Sequence, residues 1–304
     1  MSEVLRQLVS LFHEPFIQMA FLAGTLIAIL TAIVGYFVVL RAQAFAAHAL
    51  SHVGFAGATG AELVGMSGLL GMFGFMLSSA LAIALLEKKL RGRDVEIGMV
   101  LSLALGFGVL FLTLHTASAT EAVNILFGSI LSVSRVDIIL TIVVGLGTLI
   151  VLMLIFRPLL FASIDPEVAE ARGVPIKLLS IVFLLLLAVT VAEAVQVVGI
   201  LLVFALLIAP AATAQHIVRR PGSVILLSIV LGVGFTWGGL LLAMVTPYPV
   251  SFFIAALAAV TYLIVVNLSH AIRPHRFVEP EHPDKEHLDH PHHQHAHDHH
   301  HHHH

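Results

Sequence analysis

Residues 178–217 of this chain read LLSIVFLLLLAVTVAEAVQVVGILLVFALLIAPAATAQHI, and their only charged side chain is Glu193. An α-helix needs about 20 predominantly apolar residues to cross the hydrocarbon core of a bilayer, which is roughly 30 Å thick. The stretch is therefore long enough for two spanning helices, or for one helix and a broken one. Gly199 and Pro210 favour an irregular backbone here, because both residue types interrupt regular helices.

The apolar composition extends over most of the chain. Of its 304 residues 59% are hydrophobic and 11% are charged, and the mean hydropathy is +1.01. Soluble domains carry about 25% charged residues, so a water-soluble fold is excluded. We therefore predict an all-α, polytopic membrane protein with eight to nine transmembrane helices. The apolar segments lie at 16–40, 46–66, 68–86, 96–115, 136–156, 177–196, 197–217, 222–246 and 250–268.

Basic side chains indicate the orientation in the membrane. Their clusters are separated by two spans each in a nine-helix count, and cytoplasmic loops carry an excess of lysine and arginine. The intervening stretches 115–124 and 246–251 are nearly uncharged. We therefore prefer nine spans, with the N-terminus outside and the C-terminus in the cytoplasm. The clusters are Lys88, Lys89, Arg91 and Arg93; Arg157, Arg172 and Lys177; Arg219 and Arg220; and Arg273 and Arg276.

Both ends of the chain differ from the spanning region, which we assign to 16–272. Residues 1–15 form an acidic, amphipathic segment without the basic region of a signal peptide. We expect 273–298 to be a disordered, histidine-rich tail, since it has almost nothing to form a core, and 299–304 to be an expression tag. Clustered imidazoles bind zinc, nickel or copper weakly; an artificial linker is the alternative. The candidate tail ligands are His282, His287, His290, His292, His293, His295 and His297.

A histidine pair in AQAFAAHALSHVGFAGATG, residues 42–60, is the main candidate for chemistry. His48 and His52 are four residues apart, so their side chains lie on one face of a helix and can share one divalent cation. Ionisable groups inside a membrane are costly, which favours a functional role, and the small residues around the pair allow close helix packing. The alternative is that backbone carbonyls satisfy both histidines; we favour a metal path.

Glu193 is a second candidate, since a carboxyl group deep in an apolar segment needs a partner or a proton. Two interpretations stay open. Glu193 completes a cation site with His48 and His52, or it is a neutral acid that is hydrogen-bonded within the bundle.

The loop at 156–179 predicts a short polar helix. Asp165 is a good N-cap, Pro166 is tolerated at the first helical position, and Gly173 is a natural stop. The helix is either an ordinary surface element or a docking site for a soluble partner.

Several kinds of chemistry are excluded by absent motifs. The chain has no cysteine and no G-x-x-x-x-G-K-[ST] segment, so thiolate metal sites, disulfides and ATP binding through a Walker motif are ruled out. No Ser/His/Asp arrangement is evident, and the net charge of −3 does not favour nucleic acid. We expect a protein that is not itself an enzyme.

Four stretches together resemble the permease subunits of ATP-binding-cassette (ABC) importers for zinc, manganese and iron(II). The resemblance extends from about residue 16 to residue 270. The stretches are VVLRAQAFAAHALSHVGFAG (38–57), RGRDVEIGMVLSLALGFGVLF (91–111), NILFGSILSVS (124–134) followed by DPEVAEARGV (165–174), and VVGILLVFALLIAPAATA (197–214).

The resemblance implies a homodimeric permease in the bacterial cytoplasmic membrane, two cytoplasmic ABC ATPase subunits and an extracytoplasmic metal-binding protein. It implies a transported divalent metal and no permanently bound cofactor. Many relatives have an aspartate where this chain has His48, and replacing a hard oxygen ligand by imidazole favours zinc over manganese. The resemblance also identifies the 165–173 segment as a coupling helix for the ATPase, formed by Asp165, Pro166, Glu167, Ala169, Arg172 and Gly173.

Two rival functions are weaker. An ion-coupled secondary metal transporter also uses intramembrane histidines and histidine-rich tails, but its spans need more acids than Glu193 alone. A membrane-embedded metallohydrolase needs a third ligand and a general base near His48 and His52, and the sequence supplies neither convincingly.

Overall fold

The computed structural model describes residues 14–86, 93–114, 128 and 130–272. In this part of the chain there are ten α-helices, one 3-10 turn and no strand, so the predicted all-α fold is confirmed. Residues 273–304, with the predicted tail and tag, lie outside the described residues. The elements are α1 (Pro15–Leu40), α2 (Ala44–Leu63), α3 (Gly68–Leu86), α4 (Arg93–Leu114), the turn Ile130–Ser132, α5 (Arg135–Ile164), α6 (Pro166–Ala171), α7 (Ile176–Val198), α8 (Ile200–Ile217), α9 (Pro221–Val245) and α10 (Val250–Ile272).

Eight of the described helices are long and apolar enough to span a membrane: α1, α3, α4, α5, α7, α8, α9 and α10. With 20 residues, α2 has the length of a span, but its alanines, glycines and histidines make it less apolar than these eight. The predicted eight to nine spans are therefore confirmed, with α2 as the helix on which the count depends.

Helices α1 and α7 form the centre of the bundle. In each of them 67% of the most apolar window is buried, whereas in α3, α4 and α10 at most 22% is buried. Three aromatic rings join the central helices to α5: Phe37 of α1 lies 5.3 Å from Phe156 and 6.1 Å from Phe183, centroid to centroid. The poorly buried helices leave their apolar side chains for lipid or for a second chain.

The stretch 178–217 forms two helices joined by a single residue. Gly199 has φ 83° and ψ 161°, a conformation that a side chain makes unfavourable, and it lets the chain turn directly from α7 into α8. The expected irregularity at Pro210 is absent, because α8 continues through it from Ile200 to Ile217. The apolar window predicted to end at 156 is also longer in the structure, since α5 continues to Ile164.

Small residues bring α2 into backbone contact with α3. A Cβ atom on Gly57 would lie 2.4 Å from the carbonyl oxygen of Gly71, and one on Gly71 would lie 2.2 Å from the carbonyl oxygen of Gly57. Neither position has room for a side chain. The close helix packing that the small residues of α2 predict is therefore confirmed, and it fixes the helix that carries His48 and His52.

Candidate metal site and short connecting helix

The burial pattern of α2 singles out the two histidines. From Ala46 to Thr59 every residue is buried except His48 and His52, which are half-buried. The other faces of the helix are packed against the bundle. The pair therefore occupies the one accessible stripe in this part of α2, as the four-residue spacing predicts.

The two imidazoles lie against each other and against an aromatic wall. The ring centroids of His48 and His52 are 4.7 Å apart with the planes at 78°, and the Phe204 ring of α8 is 5.2 Å from His48. Within the described part of the chain, Nδ1 of His48 is buried without a hydrogen-bond partner. Backbone carbonyls therefore do not satisfy this nitrogen, and His48 keeps an unused ring nitrogen as a candidate ligand atom.

Ser51, between the two histidines in sequence, does not share their role. Its buried hydroxyl donates a hydrogen bond of 2.7 Å to the carbonyl oxygen of His48. The serine hydroxyl therefore bonds within the first turns of α2, which leaves the imidazoles of His48 and His52 as the candidate metal ligands.

Glu193 lies in a different polar environment, between α7 and α5. It is fully buried, and both carboxylate oxygens are without a hydrogen-bond partner among the described residues. Its polar neighbours are Asp137 and Thr141 of α5. Gln196 donates a hydrogen bond of 3.3 Å to Asp137.

The described residues contain no group of three or more histidines, cysteines, aspartates and glutamates that could hold a metal ion. The structure therefore groups His48 with His52 but does not bring Glu193 to them. A joint site of the three residues stays a prediction.

The predicted short helix is confirmed as α6, and its caps are those that the sequence indicates. Asp165 ends α5 and caps α6, since its Oδ1 accepts a hydrogen bond of 3.0 Å from the backbone N–H of Val168. Pro166 is the first helical residue. At the other end the N–H of Gly173 donates to the carbonyl of Glu170 over 2.9 Å, and Gly173 has φ 80°.

One small side chain seats α6 on the bundle. In the 165–173 segment Ala169 is completely buried, and every other residue is exposed. The guanidinium of Arg172 lies 5.6 Å from the centroid of the Phe161 ring and adds a second contact with α5. The exposed carboxylates of Asp165, Glu167 and Glu170 make the outer surface of α6 acidic.

The structure draws attention to two further residues, Phe204 and Arg41, that the sequence pattern does not identify as site residues. Phe204 is the only phenylalanine, tyrosine or tryptophan of α8, and Arg41 is a single positive charge between the apolar helices α1 and α2. Each residue is the only one of its kind in its stretch of sequence, and this is the one feature by which the sequence marks it. Their contacts with distant helices are visible only in the fold.

Comparison with known proteins gives one consistent result. The ABC 3 transport family matches residues 13–269 of the chain. The chain is 34% identical over 224 residues to the manganese transport system membrane protein MntC of Halalkalibacterium halodurans, covering 73% of this chain and 77% of the relative. It is 36% identical over 222 residues to the manganese import system permease protein ScaB of Streptococcus parasanguinis, covering 73% and 78%.

A solved structure agrees with these sequence relatives. PsaBC from Streptococcus pneumoniae in complex with Fab is similar to this fold with a TM-score of 0.77 and 29% sequence identity. The similarity covers 89% of this chain and 96% of the solved chain.

Proposed function

The chain belongs to the ABC 3 transport family, and from this premise we propose that it is the permease subunit of an ATP-driven importer that carries zinc across the bacterial cytoplasmic membrane. Transport of a divalent metal ion by an ABC-type permease is supported by the family and by relatives named for manganese transport. The observation that carries the proposal is the His48–His52 pair on the accessible stripe of α2.

The choice of zinc rests on ligand chemistry. Imidazole nitrogen suits zinc, whereas manganese prefers carboxylate, carbonyl and water oxygens. Both potential ligands on the accessible stripe of α2 are imidazoles, His48 and His52. The names of the relatives favour manganese as the second candidate. We propose that the imidazole at residue 48 selects zinc over manganese.

We place the metal path at the interface of two copies of the chain. A half-buried pair on an otherwise packed helix can meet a second copy, which would supply the ligands that one copy lacks. The path opens outward to receive the ion from an extracytoplasmic metal-binding protein and then opens inward. Weak binding at the pair suits this role, since a tight site would not release its ion. Glu193 is proposed as a further group on this path.

Helix α6 is proposed as the coupling helix and is placed in the cytoplasm, with the C-terminus on the same side. Its proposed coupling residues are Asp165, Pro166, Glu167, Ala169, Arg172 and Gly173. Buried Ala169 would hold it to the permease, while the exposed acidic face would enter a groove of the ABC ATPase. ATP binding and hydrolysis by two such subunits would then drive the alternating access.

The histidine-rich tail, 273–298, is proposed to bind zinc weakly on the cytoplasmic side and to regulate uptake. Deleting the tail should alter zinc uptake or its inhibition by internal zinc. If both are unchanged in the shortened protein, the tail has no part in transport.

The test is zinc uptake by vesicles that contain the permease, its ABC ATPase and its binding protein. Uptake should require internal ATP and should survive collapse of the proton gradient by an ionophore. Zinc uptake that persists without ATP and stops with the gradient would instead identify an ion-coupled secondary transporter.

A further inference from the structure

Arg41 joins three helices at the end of the bundle where α6 lies. The residue follows α1, and its guanidinium donates hydrogen bonds to the Ser163 hydroxyl of α5 over 3.3 Å and to the Ser180 hydroxyl of α7 over 2.7 Å. It also lies 5.7 Å from the centroid of the Phe183 ring of α7. A guanidinium suits this position, because its planar set of donors can serve two hydroxyls while its face rests on a ring.

The two serines lie on α5 and α7, the helices that precede and follow α6. Ser163 precedes Asp165, the residue that ends α5 and begins α6, and Ser180 lies in the first turns of α7. Arg172 at the end of α6 rests on Phe161 of α5, so the short helix is tied to the same region. A displacement of α6 therefore reaches the groups that Arg41 holds.

Backbone hydrogen bonds fix the short turn that connects Arg41 to α2. The N–H of Gln43 donates to the carbonyl of Val38 over 2.8 Å, and the N–H of Ala42 donates to that of Val39 over 3.2 Å, which is the hydrogen-bond pattern of a Schellman motif. Ala42 has φ 52°, a left-handed conformation that its Cβ atom makes unfavourable. The surrounding bonds hold it there, and α2 begins at Ala44.

We propose that Arg41 is the positioning residue that transmits movement of α6 to the helix of His48 and His52. The proposal rests on the proposed function, because it assumes that an ATPase moves α6. The linked parts are Ser163 and Ser180 on the helices that flank α6, the guanidinium of Arg41, and the hydrogen-bonded turn that leads into α2. His48 follows Arg41 by seven residues, so a shift of this turn moves the metal site.

The transport test uses the full complex in vesicles, with Arg41→Gln beside wild type. The variant should keep its basal ATPase rate but lose stimulation by the zinc-loaded binding protein, and the number of zinc ions moved per ATP should fall roughly tenfold, within the range of allosteric coupling. Arg41→Lys should restore part of the ratio. Arg157→Gln is the matched control, since Arg157 is an exposed arginine of α5 outside these contacts.

Two further variants separate coupling from folding. Ser163→Ala with Ser180→Ala should reproduce most of the Arg41→Gln defect and add little to it in the combined variant, because all three changes break one network. Ala42→Gly relieves the unfavourable φ and keeps the turn, because glycine is the usual residue at this position of a Schellman motif, so the ratio of zinc to ATP and the thermal stability should both be retained.

A label on α2 tests the inference independently of zinc transport. The chain has no cysteine, so Val64→Cys beside α2, at an exposed position, can carry the only spin label of each copy. In the dimer within the full complex, the distance between the two labels should change on ATP binding in the otherwise wild-type chain and stay constant with Arg41→Gln. An equal change with Arg41→Gln, or an unchanged zinc-to-ATP ratio, would overturn the inference. Absent zinc uptake in wild type would contradict the proposed function, while the label distances would still decide the role of Arg41.

Discussion

The rings of His48 and His52 lie 4.7 Å apart on the one stripe of α2 that the bundle leaves accessible between Ala46 and Thr59. Because one face of a helix carries both side chains, a cation that reaches one imidazole is within reach of the other. The Phe204 ring beside His48 limits the space around them. This relationship is the structural basis for treating the pair as part of an ion path.

Loss of one imidazole should impair transport more than folding. We expect His52→Ala to lower zinc uptake by roughly 10- to 100-fold, since the loss of a ligand should have at least the effect of losing an outer-shell partner. Uptake of radioactive zinc by vesicles measures this. The control is His216→Ala, which removes an exposed histidine at the far end of α8. Equal uptake by both variants would place the path elsewhere.

Glu193→Gln distinguishes the two interpretations of that residue. The change keeps the size of the side chain and removes its ability to carry a negative charge. If Glu193 lies on the ion path, as proposed, zinc uptake should fall severalfold while the thermal unfolding of the purified protein stays the same. Full uptake in this variant would show instead that a neutral, hydrogen-bonded side chain is sufficient between α5 and α7.

Ala169→Leu should disturb the packing of α6 against the bundle. The side chain of Ala169 is completely buried, and enlarging a packed position costs about 1–3 kcal/mol. The amount of ABC ATPase that co-purifies with the permease should therefore fall. Ala171→Leu adds the same side chain at an exposed position of α6 and is the matched control. Equal loss of ATPase with both variants would mean that the change acts on the exposed face of α6 and not on the packing of Ala169 against the bundle.

The contact between α2 and α3 should be sensitive to a single methyl group. In Gly71→Ala the new Cβ would lie 2.2 Å from the carbonyl oxygen of Gly57, so we expect the melting temperature to fall. Gly74→Ala on the same helix meets no atom within 4 Å and should be neutral or stabilising, because alanine favours helix over glycine. The two melting curves in detergent give the comparison, which fails if Gly71→Ala is the more stable protein.

The local features of the site could be predicted from the sequence because they depend on neighbours in the chain. The spacing of His48 and His52 indicates a common face, and Asp165 and Gly173 mark the ends of α6. Contacts between distant segments could not be predicted in this way. Arg41 bonds to serines 122 and 139 residues away, and nothing in its own segment identifies them.

At Pro210 and Glu193 the local sequence does not predict what the fold shows. Pro210 is a helix breaker by its chemistry, yet α8 continues through it. The sequence indicates that Glu193 needs a partner or a proton but does not identify its neighbours, and the fold places Asp137 and Thr141 of α5 beside it. The neighbours of Glu193 on α5 become known only when the helices are assembled.

The most direct test of the account compares zinc and manganese uptake by the wild-type complex with that of His48→Asp, under equal ATP and equal binding-protein occupancy. An oxygen ligand should replace imidazole at residue 48 without removing the site. We predict that wild type prefers zinc and that His48→Asp gains manganese uptake at the expense of zinc. A wild-type complex that prefers manganese, or a preference that His48→Asp leaves unchanged, would contradict the proposal that His48 makes the ion path selective for zinc.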